Sequence, residues 1–487
     1  MGGPVGYRSG VPGSLVGDWI KRDRSHAPMP TAPHNLTRRP RRLRRQRVSG
    51  WRREALRTTL WLVPTAMVIV AAALFTGTYA IDRAAADGLI RLPGWINTDG
   101  ADAARQVLIG VAAAVITVAG VVFSITILAL TLASQQFGPR MLRNFIRDRG
   151  TQFTLGAFVS TFVYSVLTLG SVSNQGANQF VPNLSIAVAL ALTLGSVLVL
   201  IYFIHHVATS IQLTAVMSSI AGDFQRTVDE LFGDEAELST ATGEAGLSVP
   251  ELLVRLDHDG VTVAATASGF LQAVGHRRLV RIASSSEAVI RLLNRPGHFL
   301  VEGRPLAVVW PADAAPKVAR ALGRAQVVGP HRTLTQDLGF AVDQLVEIAL
   351  RALSPAVNDT FTALNCIDWL GDGLCKISAR DLPDGIYRDG RGLVRLIDPV
   401  ITYERLVKGA FDKIRQAGRG MPAVSIRQLQ NLEKILQYVA TDDRRGVLTR
   451  HAEMIVRASE ESVLEINDRL DVNAAYDLVV QADIRAP

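Results

Sequence analysis

Hydrophobic positions run in long blocks through the first half of the chain and become periodic in the second. The blocks are Leu60 to Ile81, Val107 to Ala133, Phe153 to Val172 and Leu184 to His206. The first, at about 22 residues, reaches roughly 33 Å as a helix, enough to cross the hydrocarbon core of a bilayer, and the others are also long enough. The pattern predicts four membrane-spanning helices within a domain of residues 51–232. A cleaved signal peptide would have a far shorter leader and apolar core, although Thr78-Tyr79-Ala80 would permit cleavage nearby. Residues 1–37 are rich in Gly, Pro, Ser and His with no periodicity, so residues 1–50 read as a disordered basic tail.

Beyond His206 the pattern changes. Ser210, Gln212, Asp223 and Gln225 continue a helix past the fourth span, and Gly233 to Val249 reads as a linker. Val261, Val263, Ala265 and Ala267 alternate with Thr262, Ala264, Thr266 and Ser268, the period of a strand, which predicts a small β domain over residues 250–315. From residue 330 to 475 the spacing is helical. Leu345, Ile348, Ala349 and Ala352 form one stripe, Ile426, Leu429, Leu432, Leu436 and Val439 another, and Val447 to Leu470 a further amphipathic helix. The fold class expected is an α-helical integral membrane protein with a cytosolic α+β region, its β domain followed by a helical bundle.

Composition supports the membrane. Of 487 residues, 48% are hydrophobic and only 20% charged, which argues against a wholly soluble protein. Mean hydropathy is +0.21, in the same direction. A formal charge of +8 would suit nucleic acid, yet ten arginines lie between Arg38 and Arg57, immediately ahead of the first span. That placement speaks for topology and against a nucleic-acid partner. Loop 134–152 carries Arg140, Arg143, Arg147 and Arg149 against Asp148, whereas loop 82–106 balances three arginines with four aspartates and Ser173 to Asn183 is uncharged. An even number of spans then leaves both termini, and everything after His206, in the cytoplasm of a cell whose inner membrane holds the protein. Cys366 and Cys375 match neither a disulfide framework nor a zinc pattern, so a reduced compartment is expected and no metal site.

The second span carries a small, polar stripe. Gly110, Ala113, Thr117, Gly120, Ser124, Thr131, Gln135 and Gly138 fall within about 40° of one line at helical periodicity. Gly120 and Ser124 form a small-xxx-small step, so one reading is a packing seam for another helix. The other is a permeation path, for which Thr161, Ser165 and Thr168 of the third span offer a facing wall. No span has a charged residue near its middle, which speaks against a proton-relay pump. His205 and His206 close the fourth span; they read as interfacial anchors rather than metal ligands, since adjacent residues point about 100° apart on a helix.

Ser354-Pro355 ends a helix, and Asn358 or Asp359 can cap the next. Ser354, Asn358, Asp359 and Thr360 therefore read as caps. Alternatively they form an anion site at a helix N-terminus, with Arg332 and Arg351 supplying charge.

Two resemblances follow from these residues. Ala264 to Leu271 and Pro296 to Leu306 resemble the halves of a biotinyl/lipoyl-type barrel-sandwich hybrid, with an apparent insertion at Arg277 to Arg295. No lysine occurs from residue 250 to 316, so the resemblance implies a structural or ligand-sensing module and no swinging arm. Ala133-Ser134-Gln135-Gln136-Phe137-Gly138-Pro139-Arg140, Tyr202-Phe203-Ile204-His205-His206 and Arg351-Ala352-Leu353-Ser354-Pro355-Ala356-Val357-Asn358-Asp359 resemble the signatures of a bacterial membrane-protein family, domain of unknown function 2254. The likeness runs from about residue 51 to 475 and departs at Thr360, where proline would be expected. It implies membrane placement and no particular activity.

The chain has no phosphate loop, zinc helix or nucleophile elbow, so the reading leans away from an enzyme, with no catalytic residues and no cofactor expected. Two functions remain. An oligomeric channel gated by the cytosolic domain is favoured slightly, because a scaffold has no need of a long second span with a continuous polar stripe. The alternative is a membrane-anchored sensor or scaffold that binds a small anionic ligand. Partners expected are the lipid bilayer, further copies of the chain, and an ion or small molecule of unread identity.

Overall fold

Four helices make up the apolar half: α1 (Leu62–Ala86), α2 (Ala101–Phe137), α3 (Arg149–Ser171) and α4 (Asn183–Ser210). Each is long and apolar enough to cross a membrane. A short antiparallel hairpin, β1 (Ser173–Gln175) and β2 (Asn178–Phe180), joins α3 to α4. The structure is a computed structural model and describes residues 61–90, 100–137, 148–175, 178–210, 212–234 and 246–485. The expected disordered tail, the arginine-rich run before α1, loop residues 138–147 and most of the linker at 233–249 lie outside the described residues.

The third span is the centre of this bundle, packing against α1, α2 and α4. Gly156 makes the approach to α1 close: a β-carbon there would stand 2.5 Å from Met67 Sδ and 3.2 Å from the Pro64 backbone. Thr161, Ser165 and Thr168 face inward and are buried. Thr161 shares a 3.1 Å hydrogen bond with Ser196 of α4, and Tyr164 a 2.8 Å bond with Thr78 of α1. Ser165 and Thr168 return their hydroxyls to the carbonyls one turn back. In a medium without water such pairings are the available way to satisfy these groups.

The second span turns the other way. Val115, Ala119 and Val122 pack inward on Phe158 and Phe203, which leaves Thr117, Gly120, Ser124 and Thr131 exposed on the outer face of α2. Their hydroxyls bond to their own helix, at Ala113, Gly120 and Ile127. No atom lies within 4 Å of a β-carbon built at Gly120. Within one chain the stripe is therefore not a seam, and it does not meet the hydroxyls of α3 to line a common path. Gln135 sits in the last turn of α2, its side chain outside the described residues.

A fifth helix, α5 (Leu213–Asp234), follows α4 almost directly and leaves the apolar bundle. Then come α6 (Val249–Asp259), β3 (Val261–Ala264), β4 (Gly269–Val274), α7 (His276–Ser285), β5 (Val289–Leu292), β6 (Phe299–Leu300), β7 (Pro305–Trp310), α8 (Ala315–Ala325) and β8 (Gln326–Gly329). Helices α9 (Leu338–Ala352) and α10 (Thr360–Ser378) precede a hairpin of β9 (Ile386–Arg388) and β10 (Val394–Ile397). Helices α11 (Tyr403–Ala417), α12 (Pro422–Leu436), α13 (Asp442–Ser462) and α14 (Ile466–Arg485) end the chain.

The strands form a five-stranded sheet, β3-β7-β5-β10-β9, and a three-stranded one, β6-β4-β8. Among the described residues only β5 and β10 pair in parallel, with Leu396 opposite Ile290. Residues 264–271 and 296–306 meet in both sheets, Ala264 facing Pro305 in the larger and Gly269 facing Leu300 in the smaller. Helix α7 and strand β5 occupy the apparent insertion. Strands β8, β9 and β10 complete these sheets from sequence beyond residue 315. The helical region is likewise interrupted by a hairpin and runs on to Arg485.

Helix α5 belongs to the helical core rather than to the bundle it follows. Val216, Met217, Ile220, Phe224 and Val228 share one buried cluster with residues of α9 to α14. Phe224 fills the space over Gly373, where a β-carbon would stand 1.9 Å from its ring. Polar bonds fasten the same helix: Thr227 donates to Leu334 O at 3.0 Å, Lys376 to Gln225 at 2.5 Å and Arg380 to Asp229 at 2.7 Å.

His451 lies at the heart of this core. Burial pushes its pKa down; Asp412 opposes and Arg415 and Lys408 add to the fall. Asp412 Oδ1 is 3.2 Å from Nε2 yet makes no hydrogen bond with it. Burial likewise lowers His298, helped by Arg295 and Arg405. An unfolded chain takes up these protons first, near the ordinary pKa of about 6.5, so the histidines' contribution is whole above that pH and shrinks below it. Thermal unfolding of the purified protein is expected to show a midpoint that falls between pH 6.5 and 5. His451→Leu should flatten that slope; an unchanged slope would clear His451 of the effect.

Candidate functional site

The described part of the molecule has a cavity of about 50 Å³ where α5, the sheets and the helical core meet. Phe232 enters it from α5, His276 from the first turn of α7, and Arg295 and Pro296 from the turn after β5. Gln336 and Leu338 come from the start of α9, Leu382 and Pro383 from the segment after α10, and Asp398 to Ile401 from the segment after β10. The walls are mainly apolar.

Its polar floor is a buried pair. His276 Nε2 lies 2.7 Å from Asp398 Oδ2, and both side chains are under one-tenth exposed. The imidazole stacks on Tyr387 of β9, with ring centroids 4.6 Å apart and planes 13° from parallel. The β9–β10 hairpin thus supplies the stacking ring and, just past its second strand, the carboxylate. Gly385 lets the two ends of that hairpin close: Asp398 N donates to Gly385 O at 2.8 Å. At φ +73° Gly385 tolerates the approach, whereas a β-carbon would stand 2.2 Å from Asp398 O.

Two polar groups of the cavity are left open. Asp398 Oδ1 is buried without a hydrogen-bond partner. Such an atom is costly unless something supplies a donor. Arg295 is half-buried, and its side chain makes no hydrogen bond or ion pair among the described residues. Burial pushes its pKa down, Asp337 opposes this, and Arg405 and Arg332 reinforce it. Gln336, by contrast, is spent on the backbone of Val274 at 2.8 and 3.1 Å.

The residues expected to form an anion site are not brought together for that purpose. Arg332 forks onto Asp337 at 2.8 and 3.0 Å and reaches Asp343 at 2.6 Å, with its guanidinium 5.0 Å above Phe340. It supplies no free charge to the Ser354–Thr360 segment, because two carboxylates already hold it. Asp359 is the cap of α10, accepting from Thr362 N at 3.1 Å and Thr362 Oγ1 at 2.5 Å. Asn358 takes φ +49° at the turn, and Ser354 Oγ donates to Arg351 O at 2.7 Å. Arg351 itself is half-buried in the last turn of α9.

At the far end of α4, His206 and His205 part company. His206 Nε2 is 2.7 Å from Asp148, the carboxylate that caps α3 through Gly150 N and Thr151 N, and its ring stacks on Tyr202. Burial raises the Asp148 pKa, but the bonds from Thr151 and His206 outweigh it and hold the group below its ordinary value. His205 is exposed. Among the described residues no cluster of His, Cys, Asp or Glu has the makings of a metal site. Burial lifts the Cys366 thiol to about 12 and the Cys375 thiol to about 11, so neither supplies a thiolate at neutral pH.

Sequence reasoning missed the cavity. His276 and Asp398 lie 122 positions apart, and each is a lone residue in its own segment. Local spacing carries no sign of a pair that only the β9–β10 hairpin creates.

No solved structure matches the chain. An uncharacterized protein of Mycobacterium bovis is 33% identical over 379 residues, covering 76% of this chain and 71% of its own length. Uncharacterized proteins from two strains of Mycobacterium tuberculosis show the same identity and coverage. The family described as predicted membrane protein (DUF2254) matches residues 57–434, in agreement with the four apolar helices, and the chain belongs to that family.

Proposed function

We propose that the protein is a membrane-anchored sensor: four helices hold a cytosolic ligand-binding module at the bilayer, and occupancy of its cavity is passed to the fourth span through α5. One observation carries this reading. Phe232 stands in the cavity wall and belongs to the helix that continues the fourth span and is packed into the helical core. A ligand that moves this wall moves a rigid element joined to the membrane. The arginine-rich run before the first span and the basic loop 134–152 favour a cytoplasmic side for α5 and the module. The β region then acts as the sensing part.

The channel reading draws on a different feature, the outward stripe of α2. Because the hydroxyls of α3 are buried and bonded to α1, to α4 or to their own helix, a pore would have to be built between copies around Thr117, Gly120, Ser124 and Thr131.

Hydrogen exchange on full-length protein in lipid nanodiscs, with and without pooled cytosolic metabolites, separates the two. A sensor should gain protection around residues 295–296 and 398–401, along α5 and in the last turn of α4. Gly373→Leu drives a side chain into the Phe224 ring, at a cost of about 1–3 kcal/mol for overpacking. It should preserve the response at the cavity and weaken it at α4. Unchanged exchange with every pool, together with solute flux through vesicles, would replace the sensor with the channel.

A further inference from the structure

Resting on the sensor reading, the cavity also specifies what it receives. We infer that it takes a small zwitterion, an amino acid with an apolar side chain, whose ammonium donates to Asp398 Oδ1 and whose carboxylate meets the Arg295 guanidinium. Size limits the ligand first. A cavity of about 50 Å³ is small, so it takes in only a compact ligand or a compact part of one. Charge limits it next. The floor offers one buried carboxylate oxygen without a donor, and the wall offers one guanidinium without an acceptor among the described residues.

A simple anion would answer Arg295 and leave Oδ1 orphaned; a simple amine would do the reverse. A zwitterion satisfies both and brings no net charge into a mostly apolar space. Both contacts would be charge-assisted, the stronger kind of hydrogen bond. Arg332, another half-buried arginine nearby, is already forked onto Asp337 and cannot compete for the carboxylate. His276 holds the far oxygen of Asp398 and so aims Oδ1. Phe232, Leu338 and Leu382 supply the surface against which the ligand's apolar side chain would lie.

The test is calorimetric titration and thermal shift of full-length protein in detergent against the twenty amino acids, isovalerate, isoamylamine and inorganic phosphate. One or more apolar amino acids should bind, and the two singly charged analogues should bind at least tenfold more weakly than leucine-sized zwitterions. Arg295→Gln, on the half-exposed side, should weaken binding tenfold or more without changing elution volume, and Asp398→Asn should do the same. If Asp398→Asn does not fold, Arg295→Gln and the analogue series still decide. No binding by any amino acid, equal binding by isovalerate, binding by phosphate alone, or full affinity in Arg295→Gln would each overturn the inference. A metabolite other than an amino acid that protects the cavity and α4 would remove the zwitterion and leave the sensor standing. Amino-acid binding with no change at α4 would do the opposite.

Discussion

Replacing Arg332 with alanine is expected to destabilise the protein by about 3–5 kcal/mol, the range for removing one partner of a buried ion pair. Asp337 is only 1% exposed, and Arg332 meets both of its oxygens. Without that fork its remaining donor is the backbone of Phe340, the first-turn amide of α9 that it caps. Burial opposes the charge on Arg332, yet the bonds to Asp337 and Asp343 outweigh this and raise its pKa. The damage would reach the cavity. Gly297 at φ +93° presses its backbone against the Asp337 carboxylate, where a β-carbon would stand 2.1 Å from Oδ2, and Pro296 beside it lines the cavity. Denaturant unfolding of Arg332→Ala, Asp337→Asn and the double variant measures the coupling. Once the carboxylate is gone, losing the arginine should cost far less; additive losses would mean that the two residues do not act as a pair.

The same residues show how far the sequence could be read. Four spans were legible because bilayer thickness dictates the length of an apolar run whatever surrounds it. The caps at Asp359 and Asp148 are local, decided within three residues, and Asp359 was visible at its place in the chain. The direction of the polar stripe on α2 was not legible. In water a row of Thr and Ser would face out and in a pore it would face in, but a hydroxyl that bonds to its own helix is indifferent to both. Arg332 looked like a spare charge because its partner Asp343 is a full helical turn and more away on α9, where only folding brings it to 2.6 Å. The sheet was under-read for a related reason. Strand β10 pairs with β5 across more than a hundred residues of sequence, and a strand of four residues inside a helical region gives too little periodicity to register.

In the membrane half the largest effect is expected at Asp82, a residue that sequence counting placed merely among the loop charges. It lies near the end of α1, is 4% exposed, and both of its oxygens are used by α4: Oδ1 accepts from Leu184 N at 2.8 Å, and Oδ2 from Ser185 N at 2.9 Å and Ser185 Oγ at 2.7 Å. One helix therefore caps another. The first N–H groups of a helix have no partner within it, and at the edge of a bilayer water is a poor substitute. A carboxylate there also meets the positive end of the helix dipole. Asp82→Ala removes these charge-assisted bonds together and leaves two amides orphaned, a loss of roughly 3 kcal/mol from bonds of this kind. Asp82→Asn keeps an acceptor but loses the charge, and should fall between alanine and the parent. Asp87, five positions on and exposed, is the control: its alanine variant should change stability by less than about 0.5 kcal/mol. Unfolding of the detergent-solubilised protein gives the order directly. If Asp82→Ala unfolds no more easily than Asp87→Ala, the junction of α1 and α4 is held by packing around Ala71, Tyr164 and Ala189 and the carboxylate adds nothing to it.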